Sequence, residues 1–309
     1  MTDIARFIAD QGTVTGAALA GLTKQPILEL AKNLGAVRGL HREILPTRYL
    51  RIDADSPNGA RISPSFLRGF LNYTCFGFDR ESVETRVLEM QDHYAMISAR
   101  KRLLARQLAI ELFGQFRGQL TQFGVFVGGD IAYNMAHEET RWEISTGLPV
   151  RGSDIDMVFL IEDRAVHLRG PMEKMLLQHK TRYLKHPSHR EEIDFIVKTP
   201  AEVAGQLNLD SLKNRIATKV IAESEIVFQH GTILDDCKTL LQARGLDQQL
   251  RRLYQAALHE QNQLYEKIYS GRIKSSEDLE GSLFYSAELN EFGDFSITKR
   301  RHTFRDTQL

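Results

Sequence analysis

"RGSDIDMVFLI", Arg151–Ile161, is the stretch on which the reading of this chain turns. From Ile155 onward it is apolar enough to be a strand buried in a core, yet Asp154 and Asp156 stand at its head. Residues two apart on a strand share a face, so the two carboxylates lie side by side. A buried carboxylate without a partner costs roughly several kcal/mol, and two held close raise each other's pKa. A divalent cation between them removes both penalties, and an oxygen-only donor set suits Mg²⁺ or Mn²⁺.

A second apolar run, "EEIDFIVKTP" (191–200), again carries an acid, Asp194, between Ile193 and Phe195. If this strand lies beside the first, Asp194 completes a triad on one face. Three carboxylates can hold two metal ions about 4 Å apart, a geometry that clamps both oxygens of an in-line phosphoryl displacement. Should Asp194 fail in that role, Glu191 or Glu192 is the next acid to consider. A lone Asp-x-Asp is also found as strand-end turn chemistry and in sugar-nucleotide transferases, so the neighbours matter. Upstream, "FGVFVGG" (123–129) reads as a strand ending in Gly128-Gly129. Glycines there let backbone N–H groups approach a phosphate, although a plain tight turn has the same sequence.

Composition limits the function classes. Lys+Arg and Asp+Glu number 40 each in 309 residues, so net charge does not indicate a nucleic-acid partner, though it leaves one possible. The two cysteines, Cys75 and Cys237, have no metal-ligand spacing, and a reducing cytoplasm is the simplest location. No run reaches the roughly 20 apolar residues of a membrane span.

The rest of the chain is read by periodicity. Residues 3–35 suggest short helices broken by glycines, with Pro26 opening one of them. "TRYLRID" (47–53) is a candidate strand, and "DADSPNGARISP" (53–64) is loop chemistry. Val83, Val87, Met90, Tyr94 and Ile97, continued by Leu104, Leu108, Leu112 and Phe116, make a helical stripe. Beyond it, strands alternate with helices: 130–139 a short helix, 140–153 a loop or small hairpin, 171–185 a helix, 209–224 a helix and 225–231 a short strand. That alternation predicts an α+β fold around a mixed sheet of about four or five strands, with helices on one face and the acids on the open face. Residues 1–100 form a mostly helical N-terminal region, 101–243 the core, and 244–309 C-terminal helices with a polar tail, including a helix over 275–292. The flanking regions are expected to wall a cleft.

Taken together, Gly128-Gly129, Ser153-Asp154-Ile155-Asp156, Asp194 within "EIDFIV" and the closing stretch "EIVFQHGTILDDCKTLL" (225–241) resemble the DNA polymerase β-like nucleotidyltransferase superfamily. The resemblance covers roughly residues 103–243 and is most specific at "SDIDMVFLIED". It departs from the pattern at Asp130, where many members carry a small or polar residue, and in a longer gap holding "EETRWEISTGLPV" (138–150). Arg151-Gly152-Ser153 is similar to the Arg-x-Ser of toxin-like members, out of full register. The resemblance implies a minimal nucleotidyltransferase core in which Asp154 and Asp156 bind both metals. Asp194 would bind the catalytic metal and help deprotonate the attacking group. The implied reaction transfers a nucleoside monophosphate from a nucleoside triphosphate, ATP as first candidate, to a hydroxyl-type acceptor with release of pyrophosphate. The competing class is an inactive relative serving as a nucleotide sensor or a toxin–antitoxin or defence partner.

Cations must also meet a triphosphate. Gly128, Gly129, Ser153 and Arg151 are candidates beside the acids. On the helix after Asp194, Lys213, Arg215 and Lys219 are available, with Arg215 and Lys219 the preferred pair because they stand four apart. Tyr133, Trp142 and Phe228 are the aromatics considered for base stacking, and His186 and His189 are read as a solvated loop pair rather than a zinc site.

Overall fold

The computed structural model describes residues 3–54, 56, 58–142, 147 and 149–273. The side chains of 141 and 142, the helix expected over 275–292 and the tail after it lie outside the described residues. The fold is α+β.

The N-terminal region holds helices α1 (Asp3–Gln11), α2 (Gly16–Thr23), α3 (Ile27–Gly35) and α4 (Phe66–Tyr73), and strands β1 (Val14–Thr15), β2 (His41–Ile44), β3 (Tyr49–Ile52), β4 (Ala60–Ser63) and β5 (Thr74–Gly77). It is therefore less purely helical than its sequence suggests. A three-stranded antiparallel sheet runs β1-β5-β2, and β3 pairs with β4 as a hairpin. The strand expected at Tyr49–Ile52 is present. The loop expected over 53–64 gives way to β4, because Ala60 and Ile62 are buried against Leu250 and Ala257, nearly two hundred residues on.

Helix α5 (Arg80–Phe116) starts where the Asp79 carboxylate accepts from the Ser82 N–H at 2.9 Å. Its first turns bury Val83, Val87 and Met90 against the N-terminal region, and its later turns bury Leu108, Leu112 and Phe116 against the core sheet. A boundary between residues 100 and 101 falls inside this helix, which both regions share.

The core sheet has four strands in the order β10-β9-β6-β11: β6 (Phe123–Val127), β9 (Ile155–Ile161), β10 (Ile193–Lys198) and β11 (Glu225–His230). Strand β9 is antiparallel to β6 and parallel to β10, so the sheet is mixed. A parallel neighbour needs a long crossover. Here it is a 3₁₀ turn (Asp163–Leu168) and helix α7 (Arg169–Lys185), which has Pro171 in its first turn. Between β6 and β9 lie the short helix α6 (Gly129–Ala132) and the hairpin of β7 (Thr140–Trp142) with β8 (Pro149–Arg151).

Helices cover both faces of this sheet rather than one. Ile155, Met157, Phe159 and Ile161 pack with Ala105, Leu112, Met172 and Leu176 of α5 and α7. The alternate residues Val158 and Leu160 pack with helices α8 (Pro200–Gln206), α9 (Leu212–Glu223) and α10 (Ile233–Ala243) through Val203, Ile221 and Leu234. A strand covered on both faces reads as a continuous apolar run, which is what β9 is. Helix α8 is absent from the sequence reading. Thr199 caps it with a reciprocal Glu202 box and Pro200 opens it, signals that are local and legible. The last helix, α11 (Leu246–Tyr269), packs on β4. No helix among the described residues is long and apolar enough to cross a membrane.

Gly152 shows how tightly the turn before β9 is held. Its φ is +56°, and a Cβ there would lie 1.8 Å from the His137 carbonyl oxygen. Left-handed φ alone costs a side chain about 1–3 kcal/mol, and here the backbone clash adds to it. Gly114, in α5, has nothing within 4 Å of a built Cβ. Gly152→Ala should therefore lower the urea midpoint markedly, while Gly114→Ala should raise stability by about 0.5–1 kcal/mol through helix propensity. Equal effects from the two substitutions would mean that the turn is not under this constraint.

Candidate metal centre

The pairing of β9 with β10 sets Asp156 directly opposite Asp194. Both therefore point to the face that carries α8 and α9, together with Asp154 just ahead of the strand. One carboxylate oxygen from each of Asp154, Asp156 and Asp194 lies within 4.8 Å of the others. The three acids singled out in the sequence thus meet at one point, on the covered face, at the end of the sheet where β9 and β10 begin. Oxygen donors at this separation could hold a hard divalent cation.

Gly128 and Gly129 border the same point. The Gly128 N–H donates to the Asp156 carbonyl at 3.0 Å. Gly129 has φ +62°, and a Cβ on it would stand 2.7 Å from Asp156 Oδ2. Helix α6 after them has only four residues, so it contributes little dipole.

Burial raises the Asp156 pKa, and the charges of Asp154, Asp194 and Asp130 raise it further, to about 7, against a lowering by Lys219. The side chain is nevertheless open to solvent through the cavity. Water there softens the burial contribution, and repulsion between the acids is the part that persists. Lys180 from α7 reaches Asp194 Oδ1 at 2.5 Å and balances that charge.

Asp130 is a strut. Its carboxylate accepts from Tyr49 Oη at 2.8 Å, Arg68 Nη2 at 3.0 Å and Ser153 Oγ at 2.8 Å. Burial alone would raise its pKa, but Arg68, His137 and the two hydroxyls overcome this and hold the carboxyl well below the usual range. Through this residue the β3–β4 hairpin and α4 are tied to the loop that carries Asp154.

The acids open into a cavity of about 630 Å³, within the roughly 300–1,000 Å³ of small-ligand sites. Tyr49, Arg51 and Arg68 wall it from the N-terminal side, and Lys213, Ile216 and Lys219 of α9 wall it from the other. The C-terminal helix α11, expected to form a wall, packs behind these elements instead. Lys219 sits 4.9 Å over the Tyr49 ring and pairs with Glu223 at 2.9 Å.

Other sequence candidates fall elsewhere. Arg215 Nε donates to the Leu209 carbonyl at 3.0 Å, its guanidinium lies against Gly59, and it does not line the cavity. The lining face of α9 runs 213–216–217–220, so Lys213 lines the cavity and Arg215 does not. Arg151 is exposed and outside the lining, and its carbonyl accepts from Lys101 at 3.0 Å. Ser153 points its hydroxyl at Asp130. Glu191 is buried in an ion pair with Lys101. Phe228 packs on Phe113 and Phe123 in the core, and Tyr133 stacks on Tyr49, centroids 4.9 Å apart. The side chain of Trp142 lies outside the described residues. Tyr49, Arg51 and Arg68 escaped the sequence reading because nothing local ties them to acids a hundred residues away.

Compared with family models, with curated proteins and with solved structures, the chain matches none.

The Asp156 shift has a definite sign in pH. Its folded pKa of about 7 lies above the unfolded value near 4, so its contribution is fully present below about 4 and is lost as pH rises through 7. With metal chelated, the Tm of the native chain should fall relative to that of Asp156→Asn between pH 5.5 and 8.5. Adding Mg²⁺ or Mn²⁺ at pH 8 should restore it. Parallel Tm curves for the two proteins would show that the acids are not coupled.

Proposed function

We propose that the protein is a metal-dependent nucleotidyltransferase that transfers a nucleoside monophosphate from a nucleoside triphosphate to a hydroxyl-type acceptor and releases pyrophosphate. The observation that carries this reading is the convergence of Asp154, Asp156 and Asp194 within 4.8 Å beside Gly128-Gly129, at the mouth of a cavity with cationic walls. Mg²⁺ or Mn²⁺ held by these acids would neutralise charge on the transferring phosphoryl group and lower the pKa of the attacking hydroxyl.

The chain's own groups divide the remaining work. Asp154 and Asp156 would hold the cation, and the missing side chains of Gly128-Gly129 beside them leave room for phosphate oxygens. Lys219, beside Asp156, adds positive charge on the same side. Asp194, on the neighbouring strand, lies toward the open edge of the sheet. It is therefore placed to take the proton of an incoming hydroxyl as a general base. Lys180 pairs with Asp194 and fixes the direction of its carboxylate. That same lysine favours a second reading, a non-catalytic nucleotide-binding relative, since a protein cation beside one acid reduces the need for a metal.

Asp194→Asn separates the readings. It keeps shape and removes charge, and Asp154 and Asp156 would still be there to hold a triphosphate-bound cation. Nucleotide affinity in the presence of Mn²⁺ should change by less than about tenfold, roughly 1.4 kcal/mol. Transfer, followed by product mass with each nucleoside triphosphate, should fall by at least about 10². Metal-dependent nucleotide binding by the native chain with no transfer to any acceptor would favour the non-catalytic relative. Near-normal turnover in Asp194→Asn would remove this residue from the site.

A further inference from the structure

The cavity does not end at the acids. Asp194, Ile196 and Lys198 alternate along β10 on the same face, so Lys198 begins about 13 Å from Asp194 at roughly 3.3 Å per residue. Between them the lining is apolar: Val158, Ile196, Ile216 and Ala217. Ile196 and Ile216 are both exposed, 47% and 44%, which is unusual for large aliphatics inside a fold and leaves an apolar strip open to a ligand. At the far end Lys198 and Lys213 face the cavity together with Gln206.

The cations that line this cavity differ in their partners. Arg68 is committed to Asp130 and Lys219 to Glu223, and Arg51 is partnered as well. Lys198 and Lys213 have no carboxylate within 4.0 Å among the described residues. Lys198 instead donates to the neutral Gln206 Oε1 at 2.5 Å. Glu202, whose charge acts on Lys198, is held by Arg169 and by the Thr199 N–H. Burial draws the Lys198 pKa down, Glu202 holds it up, and Lys213 draws it down again, so the two lysines stand close enough to repel. Two cations left facing each other across a cavity are stabilised by an anion between them.

We infer that Lys198, Lys213 and Gln206 form a second anion subsite, and that the acceptor is itself a phosphate-bearing molecule whose phosphate sits there while its hydroxyl lies at Asp194. This rests on the nucleotidyltransferase reading for the word acceptor, though not for the anion. The subsite lies along β10 beyond Asp194, on the far side of the acids from Gly128-Gly129, so a triphosphate seated on the glycines does not occupy it. The apolar strip between suits a ring or sugar face joining the two polar ends, which points to a nucleotide or sugar phosphate rather than an unphosphorylated alcohol.

The test needs neither metal nor turnover. Inorganic phosphate is titrated into the full chain in EDTA, with amide shifts of residues 198, 206 and 213 followed by NMR. The native chain and Asp154→Ala should bind it alike. Lys198→Gln and Lys213→Gln should each weaken binding at least about fivefold, and the pair together should abolish it, with Tm unchanged. In a parallel titration, Mn²⁺-dependent nucleoside triphosphate binding should change by less than about twofold in the lysine variants. Absence of phosphate binding in the native chain, or its persistence in the double variant, overturns the subsite. Equal loss of triphosphate binding in the double variant gives the lysines to the donor nucleotide and overturns the acceptor assignment. Failure of the nucleotidyltransferase reading shows separately, as phosphate binding that obeys these rules in a chain that transfers nothing.

Discussion

Both acid-bearing strands hang from one ammonium group. Lys101, wholly buried on α5, donates to the carbonyls of Arg151 at 3.0 Å and Ser153 at 2.8 Å and pairs with Glu191. An ammonium has three donors and no acceptor, and here each donor has a partner. Burial draws its pKa down while Glu191 holds it up. A charge pair inside a protein is weak as a source of stability, but removing one partner leaves the other stranded at a cost of about 3–5 kcal/mol. What the pair supplies is position. Ser153 adjoins Asp154, and Glu191 stands three residues before Asp194, so one atom fixes the spacing of the two halves of the triad. The long helix that carries Lys101 also packs on the N-terminal sheet, which links that region's position to the site.

The triad is a place where the local structure is worse than the sheet around it. Asp156 opposite Asp194 in register is a like-charge cross-strand pair, which destabilises a sheet. The register cannot slip to relieve it, because a one-residue shift would turn Asp156 into the sealed core between the sheet and α5 and α7. Burial of β9 on both sides therefore holds two carboxylates where they repel. Such a conflict between local chemistry and global fold marks functional sites. Here the natural relief is a cation.

What the sequence disclosed follows the range of the forces involved. The β9 run, the stripe of α5 and the three acids were readable because each depends on spacing within a few residues, and the strand pairing then brought the acids together. Asp130 looked like a departure from a position where a small or polar residue is expected. Its partners, Tyr49 and Arg68, come from another sheet and helix, and only their arrival shows it to be a strut. Arg215 was preferred over Lys213 because four-residue spacing defines a shared face but not which face turns inward. That choice depends on how α9 rolls against β9 and β10, where Ile221 buries and Arg215 meets the β3–β4 hairpin. Strand β4 was hidden for the same reason, its burial coming from α11.

Equal numbers of acidic and basic residues give the chain no net field, yet the cavity is strongly polarised along its length. At one end stand Asp154, Asp156 and Asp194, with Lys180 and Lys219 nearby and the latter shared with Glu223. At the other stand Lys198 and Lys213 with a neutral amide. An anion entering without metal is repelled from the first end and drawn to the second. One divalent cation on the triad cancels the charge of that end, and a second reverses its sign. The cavity then presents positive charge at both ends with an apolar strip between, so metal would switch it from holding one anionic group to holding two.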